Sequence, residues 1–295
     1  MIMAPKGSCL VSFDLSQAES WIVAFLANER RMKQSLLFGD IHSDTSCGIF
    51  YPKNAECLHL WQKEKATGSR ICSNCGVTIT DTERYLGKKN NHANSYGQSE
   101  GMLVTSINKE SDKPPYITVG LSDVKPMFKA WHNYINLSGW WESIQRELGP
   151  RRQLTTPYDF TRTFYGYWGK ELFKEAYAFK PQSTIADHVF GAIHKDLGIP
   201  GGLLEIHRKF VATKYCKIIN TAHDSFVLEY PSETVPNDFI AEVARCFRRP
   251  LVVRDEEFTI PCDAKWGLRY DEGMQEIDIN ALIGPANPNR TIHGL

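Results

Sequence analysis

Leu10-Val11-Ser12-Phe13-Asp14-Leu15-Ser16-Gln17-Ala18-Glu19 is an apolar run that arrives at a carboxylate and continues into polar residues. A second run holds another carboxylate: Ile218-Ile219-Asn220-Thr221-Ala222-His223-Asp224-Ser225-Phe226-Val227-Leu228. Residues 8–15 read as a buried strand ending in Asp14, and residues 218–230 as a hairpin with His223-Asp224 near its tip. A carboxylate on a strand end, met by one from a distant hairpin, can hold two Mg²⁺ ions about 3.5–4 Å apart for in-line attack on a phosphate. Asp14 and Asp224 are therefore the candidate catalytic residues and Mg²⁺ ligands.

Outward from these two points the chain reads mostly as helix. Ile22, Val23, Leu26, Met32 and Leu36-Leu37 carry helical spacing over residues 17–37, consistent with one or two helices. Gly39-Asp40-Ile41-His42-Ser43 breaks the pattern and restarts it, with Asp40 or Ser43 as N-cap. Helical character returns from Thr82 to about Tyr96, then over 121–147, from about Pro181 to Leu197, over 203–215 and over 236–248. Residues 150–170, rich in Thr, Tyr, Phe and Trp, read as strand and turn, and a last strand is expected near 256–260. Arg84, Lys88, His92 and Tyr96 stand four apart, so on a helix they drift about 40° per step and span about 18 Å. Such a strip can lay two cations along phosphates and leave Tyr96 near a base. The neighbouring Lys89, Asn90, Asn91, Asn94 and Ser95 suggest a solvent-facing helix.

Residues 55–80 differ in composition and read as an insertion. Cys57-x-His59-x12-Cys72-x2-Cys75-Gly76 offers three thiolates and an imidazole, the donor set of a tetrahedral Zn²⁺. Four protein ligands leave no open position, so the expected role is structural. The segment has too little apolar material to fold unaided, and the metal would supply that free energy. The alternative is four unliganded loop residues. Cys9, Cys47, Cys216, Cys246 and Cys262 read as core.

Composition sets bounds without choosing a function. A chain of 295 residues, 42% hydrophobic, can bury a core as one large domain or two smaller ones. Eight cysteines in this pattern suit a reducing compartment, and no apolar stretch has the length of a membrane span or signal sequence. The expectation is a cytoplasmic protein, of a bacterium or of a virus-infected host cell, with no membrane partner. Net charge is zero. Phosphate recognition would depend on local clusters such as Arg84 with Lys88-Lys89, Arg151-Arg152, Arg208-Lys209 and Arg245 with Arg248-Arg249.

These pieces, in this order, resemble the polymerase core of family A (polymerase I-like) DNA polymerases over residues from about 8 to 270, and the wording His92-Ala93-Asn94-Ser95-Tyr96-Gly97 is most similar to phage-type members. Asp14-Leu15-Ser16-Gln17-Ala18-Glu19 resembles the first carboxylate motif, Asp-x-Ser-Gln-x-Glu. The resemblance implies that Asp14 binds both metals, that Gln17 lies near the triphosphate and that Glu19 blocks a ribose 2′-OH. Asp40-Ile41-His42 is similar to an element whose histidine reaches the triphosphate. Arg84, Lys88 and Tyr96-Gly97 match the fingers helix, which implies dNTP binding by Arg84, Lys88, His92 and Tyr96. Ala178-Phe179-Lys180-Pro181-Gln182 resembles the segment whose glutamine, here Gln182, reads the minor-groove side of primer–template DNA. His223-Asp224 matches the second carboxylate motif, with His223 near the primer end.

The chain also departs from that pattern. Ser225 stands where a glutamate usually follows the second aspartate, His92 where Phe or Tyr is common, Trp21 for an arginine and Ala178 for an asparagine. Nothing matches the family's thumb, first palm segment or proofreading exonuclease. Either a second polypeptide therefore supplies thumb and N-terminal palm, making this chain the catalytic half of a split polymerase, or the chain is a fragment. Primer–template DNA and dNTPs are the other expected partners. The expected fold is α+β: a partial antiparallel palm sheet, a helical fingers subdomain and an inserted zinc knuckle. Its expected limits are palm at 1–46, fingers at 47–165 with the insertion at 55–80, palm again at 166–280 and a tail at 281–295. The expected activity is template-directed DNA polymerisation. A two-metal nuclease, or a non-catalytic DNA-binding accessory subunit with a zinc knuckle, are the alternatives.

Overall fold

The buried strand expected over residues 8–15 is present in the computed structural model, which describes residues 2–271 and 273–288. In chain order the first elements are β1 (Cys9–Leu15), α1 (Ala18–Ala27), α2 (Arg30–Phe38) and α3 (Ile41–Phe50). The insertion contributes β2 (Trp61–Lys63), β3 (Arg70–Cys72) and β4 (Thr78–Ile79). Then follow α4 (Asp81–Ser95), α5 (Glu100–Asn108), α6 (Leu121–Tyr134), α7 (Ser138–Arg151), β5 (Gln153–Thr155), β6 (Thr161–Thr163), α8 (Lys170–Phe190) and α9 (Gly202–Ile206). The last are β7 (Lys217–Ala222), β8 (Ser225–Tyr230), α10 (Asn237–Phe247), β9 (Pro250–Val253), β10 (Glu256–Thr259), β11 (Cys262–Gly267), β12 (Gln275–Ile277) and α11 (Ile279–Ile283).

These elements form two units: residues 2–22, 155–161 and 181–288 make one, and residues 23–154 and 162–180 the other. The divisions fall inside α1, β5, β6 and α8. Pro181, expected to start a helix, lies inside α8. The apolar spacing of Leu172, Ala176, Tyr177 and Phe179 carries the helix up to it, and the missing proline N–H costs one bond in a 21-residue element. The helix expected over 203–215 is shorter: α9 ends at Ile206, and a π-helical turn spans His207–Val211.

The first unit is built on a five-stranded sheet of order β12-β11-β1-β8-β7, with antiparallel pairs throughout. Cys9, Val11, Phe13 and Leu15 point to one buried face. Phe13 stacks on Phe226 of β8 at 5.2 Å between ring centroids, and Phe247 of α10 meets Phe226 edge-on at 4.8 Å. Phe239, Ile240, Val243, Ala244 and Phe247 form the buried stripe of α10, the helical periodicity that its sequence shows. On the other sheet face Leu10, Val227 and Met274 make a small cluster. Asp14 stands exposed on that same face, two pleats along.

In the second unit α3 and α4 pack with small and polar residues between them. Every residue of α3 from Ile41 to Ile49 is buried, seven of them polar, small or sulfur-bearing. The asparagines of α4, expected to face solvent, are buried as well. Asn91 Oδ1 accepts from Thr45 Oγ1 at 3.0 Å and Trp131 Nε1 at 2.9 Å, and Asn90 and Asn94 donate to carbonyls one turn back. A buried polar face costs little when its groups are paired. Composition misled here because protein groups, not water, pair most of these amide atoms; Asn94 Oδ1 alone of them is buried with no partner among the described residues. Gly87 lets the helices approach: a Cβ there would lie 2.2 Å from Ser46 Oγ and 2.5 Å from His42 O. Gly87→Ala is expected to cost about 1–3 kcal/mol by overpacking. Gly101→Ala, whose Cβ would meet nothing within 4 Å in exposed α5, should gain about 0.5–1 kcal/mol. Urea unfolding of the two variants checks both signs.

Beyond α11, Arg248 Nη2 donates to Gly284 O at 2.7 Å, and Asn287 makes two hydrogen bonds of 2.9 Å with the backbone of Thr259. The expected tail from 281 is thus held against the first unit as far as Asn287, and residues 289–295 lie outside the described residues.

Candidate functional site

The sheet register of the first unit sets Asp14 between two partners: Ser225 on β8 and Asp263 on β11. Residues opposite one another across a sheet share a face, so these three side chains line up in one row. Leu15 N donates to Asp224 O at 3.0 Å, which ties the hairpin tip to the end of β1. His223 makes that two-residue turn with φ of +52°. Asp14 and Asp224 therefore converge at one end of neighbouring strands. Asp263 is a third carboxylate that the sequence analysis missed, because β11 was not recognised. The alternation Cys262-Asp263-Ala264-Lys265-Trp266, buried then exposed, is the period-two signal that could have found it. Its Oδ2 accepts from Ser16 Oγ at 2.5 Å.

The remaining expected residues of this unit gather near the same strand end. Gln17 takes φ of +58° in the turn between β1 and α1, and its Oε1 is buried with no hydrogen-bond partner among the described residues. Glu19 accepts from Gln182 Nε2 at 3.4 Å, so the two residues expected to read sugar and minor groove are neighbours. Trp21 is 2% exposed and stacks on Phe258 at 5.7 Å. A core role explains its departure from arginine.

In the second unit Asp40 organises the cationic helix. Its carboxylate N-caps α3 by accepting from His42 N at 3.1 Å, and Ser43 Oγ adds a bond of 3.0 Å. It also grips Arg84 in a fork, Nε to Oδ2 at 2.6 Å and Nη2 to Oδ1 at 3.2 Å. Burial pushes the Asp40 carboxyl up, but the hydrogen bond and charge of Arg84, with Arg70 behind it, outweigh burial and hold it below the ordinary value. Thr80 and Glu83 close a reciprocal capping box at the start of α4. Lys88 and His92 are exposed on that helix, while Tyr96, its C-cap, is 5% exposed and meets His92 edge-on at 5.4 Å.

His42 is buried, and burial, aided by Arg84 and Lys88 against the pull of Asp40, pushes its pKa down to about 3. Asn91 Nδ2 stands 3.3 Å from its Nδ1. An amide nitrogen only donates, so Nδ1 accepts and the proton sits on Nε2. His42 is thus a neutral donor at physiological pH and not the cation that a triphosphate contact first suggests.

The insertion forms a three-stranded antiparallel ribbon, β2-β3-β4. It brings Cys57, His59, Cys72 and Cys75 together with all four ligand atoms within 4.8 Å of one another. His59 Nδ1 lies 3.6 Å from Cys75 Sγ, so Nδ1 faces the cluster. Gly76, at φ of +73°, turns the chain after Cys75. Zinc–thiolate bonds of about 2.3 Å place tetrahedral sulfurs under about 4 Å apart, so one ion fits with small adjustment. Burial first, then Cys75 and Cys72, pushes the Cys57 thiol up to about 12. Around Cys72, burial is outweighed by backbone groups of Cys75, Asn74 and Leu60, and its thiol is lowered. Trp61 stacks on the His59 ring at 4.6 Å and donates from Nε1 to Asp44 Oδ1 at 2.6 Å, so the ribbon is anchored on α3.

No family model and no curated protein matches this chain. Among solved structures, it is similar to the POL domain of Pol1 from M. smegmatis, determined in complex with DNA primer-template and dNTP. The TM-score is 0.63 at 15% identity, covering 90% of this chain and 41% of that one. The two share a fold, and the chain spans less than half of that neighbour's length. No helix among the described residues is long and apolar enough to cross a membrane.

Proposed function

We propose that the chain is a DNA-directed DNA polymerase of family A type, adding dNTPs to a primer 3′-OH and releasing pyrophosphate. The observation that carries this reading is the convergence of Asp14 and Asp224 at one sheet end, in a fold shared with a domain solved with primer-template and dNTP. The first unit would serve as palm and the second as fingers. Carboxylate oxygens suit Mg²⁺, and two such ions, when bound, activate the 3′-OH and neutralise the triphosphate and its leaving group.

The chain's own residues supply position and charge. Asp14 and Asp224 hold the ions, and Gln17 flanks the triphosphate. Glu19 fills the space of a ribose 2′-OH and so favours deoxynucleotides. Arg84 and Lys88 balance charge that grows during transfer, a contribution made by fixed groups without reorganisation. His42 donates one hydrogen bond from Nε2. His92 stacks on the sugar, Tyr96 meets the templating base, Gln182 contacts the minor groove and His223 approaches the primer end. Zn²⁺ on Cys57, His59, Cys72 and Cys75 is structural.

The test is primer extension by the purified chain with Mg²⁺ and all four dNTPs, beside the same labelled duplex without dNTPs. Lengthening that follows the template supports the proposal. Shortening in the dNTP-free lane would instead favour a two-metal nuclease using the same carboxylates, a chemistry with no use for the Arg84–Lys88 face.

A further inference from the structure

We propose that the zinc ribbon is a positioning device for the triphosphate site: Arg70, on its central strand, holds Asp40, and Asp40 holds Arg84. The role of Arg84 rests on the polymerase reading, while the coupling rests on geometry within the second unit. Arg70 Nε lies 3.2 Å from Asp40 Oδ2, and its Nη1 reaches Asp81 Oδ1 at 3.0 Å. One guanidinium thus clamps the N-cap of α3 and the first residue of α4. Asp40 in turn receives Arg84 at 2.6 Å. All three side chains of the Arg70–Asp40–Arg84 chain are at most a quarter exposed, so water competes weakly for these bonds.

The metal ligands set the direction of this clamp. Arg70 precedes Cys72 by two residues on β3, and residues so spaced project to one side of a strand. Trp61 follows His59 by two and lies opposite Cys72 in the β2–β3 register. Fixing Cys72 and His59 on one ion therefore orients the two ribbon side chains that reach α3, Arg70 to Asp40 and Trp61 to Asp44. An outward, DNA-gripping role has less behind it. Residues 55–80 hold three basic side chains, Lys63, Lys65 and Arg70, against Glu56 and Glu64, and Arg70 is turned inward. Arg84 placed by a two-atom fork is directional, and loosening Asp40 would free it to rotate away from the phosphates.

Arg70→Gln keeps all four metal ligands and breaks the clamp. In the zinc-loaded variant kcat/KM for dNTPs is expected to fall roughly tenfold, with part of the loss in kcat because Arg84 acts on charge that grows during transfer, and Arg70→Lys should recover part of it. Two readouts do not depend on turnover. Amide exchange over residues 81–88 should speed up in Arg70→Gln. Coupling is reciprocal, so dATP with Mg²⁺ should slow zinc transfer to the chelator 4-(2-pyridylazo)resorcinol in the unmodified chain and not in Arg70→Gln. A folded, zinc-loaded Arg70→Gln with unchanged kcat/KM, exchange and zinc release would overturn this proposal alone. Failure of the unmodified chain to bind dNTPs would bring down the polymerase reading and this proposal together.

Discussion

Asp224→Ala is expected to lower Mg²⁺-dependent primer extension by at least about 10³-fold, equivalent to about 4 kcal/mol of transition-state stabilisation. Asp14→Ala should do the same, and the double variant should lose little more, because the two carboxylates act as one unit. Asp14 is exposed on its strand, and Asp224 contributes its carbonyl, which alanine keeps, to the bond from Leu15 N. Stability should move far less than activity, by about 1 kcal/mol as for an ordinary point substitution. Single-turnover extension with saturating dNTP and a parallel urea titration separate the two effects. An Asp224→Ala chain that extends primers normally would remove Asp224 from the metal-holding pair and overturn this assignment.

Stripping zinc should unfold the insertion. Structural zinc sites bind with apparent free energies of about 10–16 kcal/mol, and here that term orders a segment with almost no core of its own. Of the ribbon strands only Cys72 and Ile79 are buried. The purified chain is expected to carry one zinc per molecule by elemental analysis. Chelation should abolish amide protection in β2, β3 and β4 and leave the sheet of β1, β8 and β11 protected. Cys57→Ser should weaken zinc binding by more than the roughly 10–100-fold seen when supporting residues around a metal are changed. Thiols must lose their protons to bind, so affinity should rise with pH and the ion should leave on acidification. Zinc titration at pH 6, 7 and 8 reads that slope. A zinc-free chain with the ribbon's amides still protected would contradict the structural role.

Local sequence determined much of this protein. An apolar run marked β1, spacing of four marked α4, and His223-Asp224 between two apolar runs marked the β7–β8 turn, because each signal is carried by residues close together in the chain. The zinc ligands were legible for a related reason: one short segment holds all four. Other features were decided only by tertiary structure. Asp263 joins Asp14 through the β1–β11 pairing, 249 residues apart in the chain, and register across such a distance leaves no local trace. Asn90, Asn91 and Asn94 look solvated until α3 and α6 supply their partners or their cover. His42 carries the composition of a cation, yet burial makes it a neutral donor. Arg70 sits in a segment that reads as a metal site alone, and only folding aims it at Asp40. Sequence names the groups able to do chemistry, and packing sets which of them meet, which stay charged and which are held still.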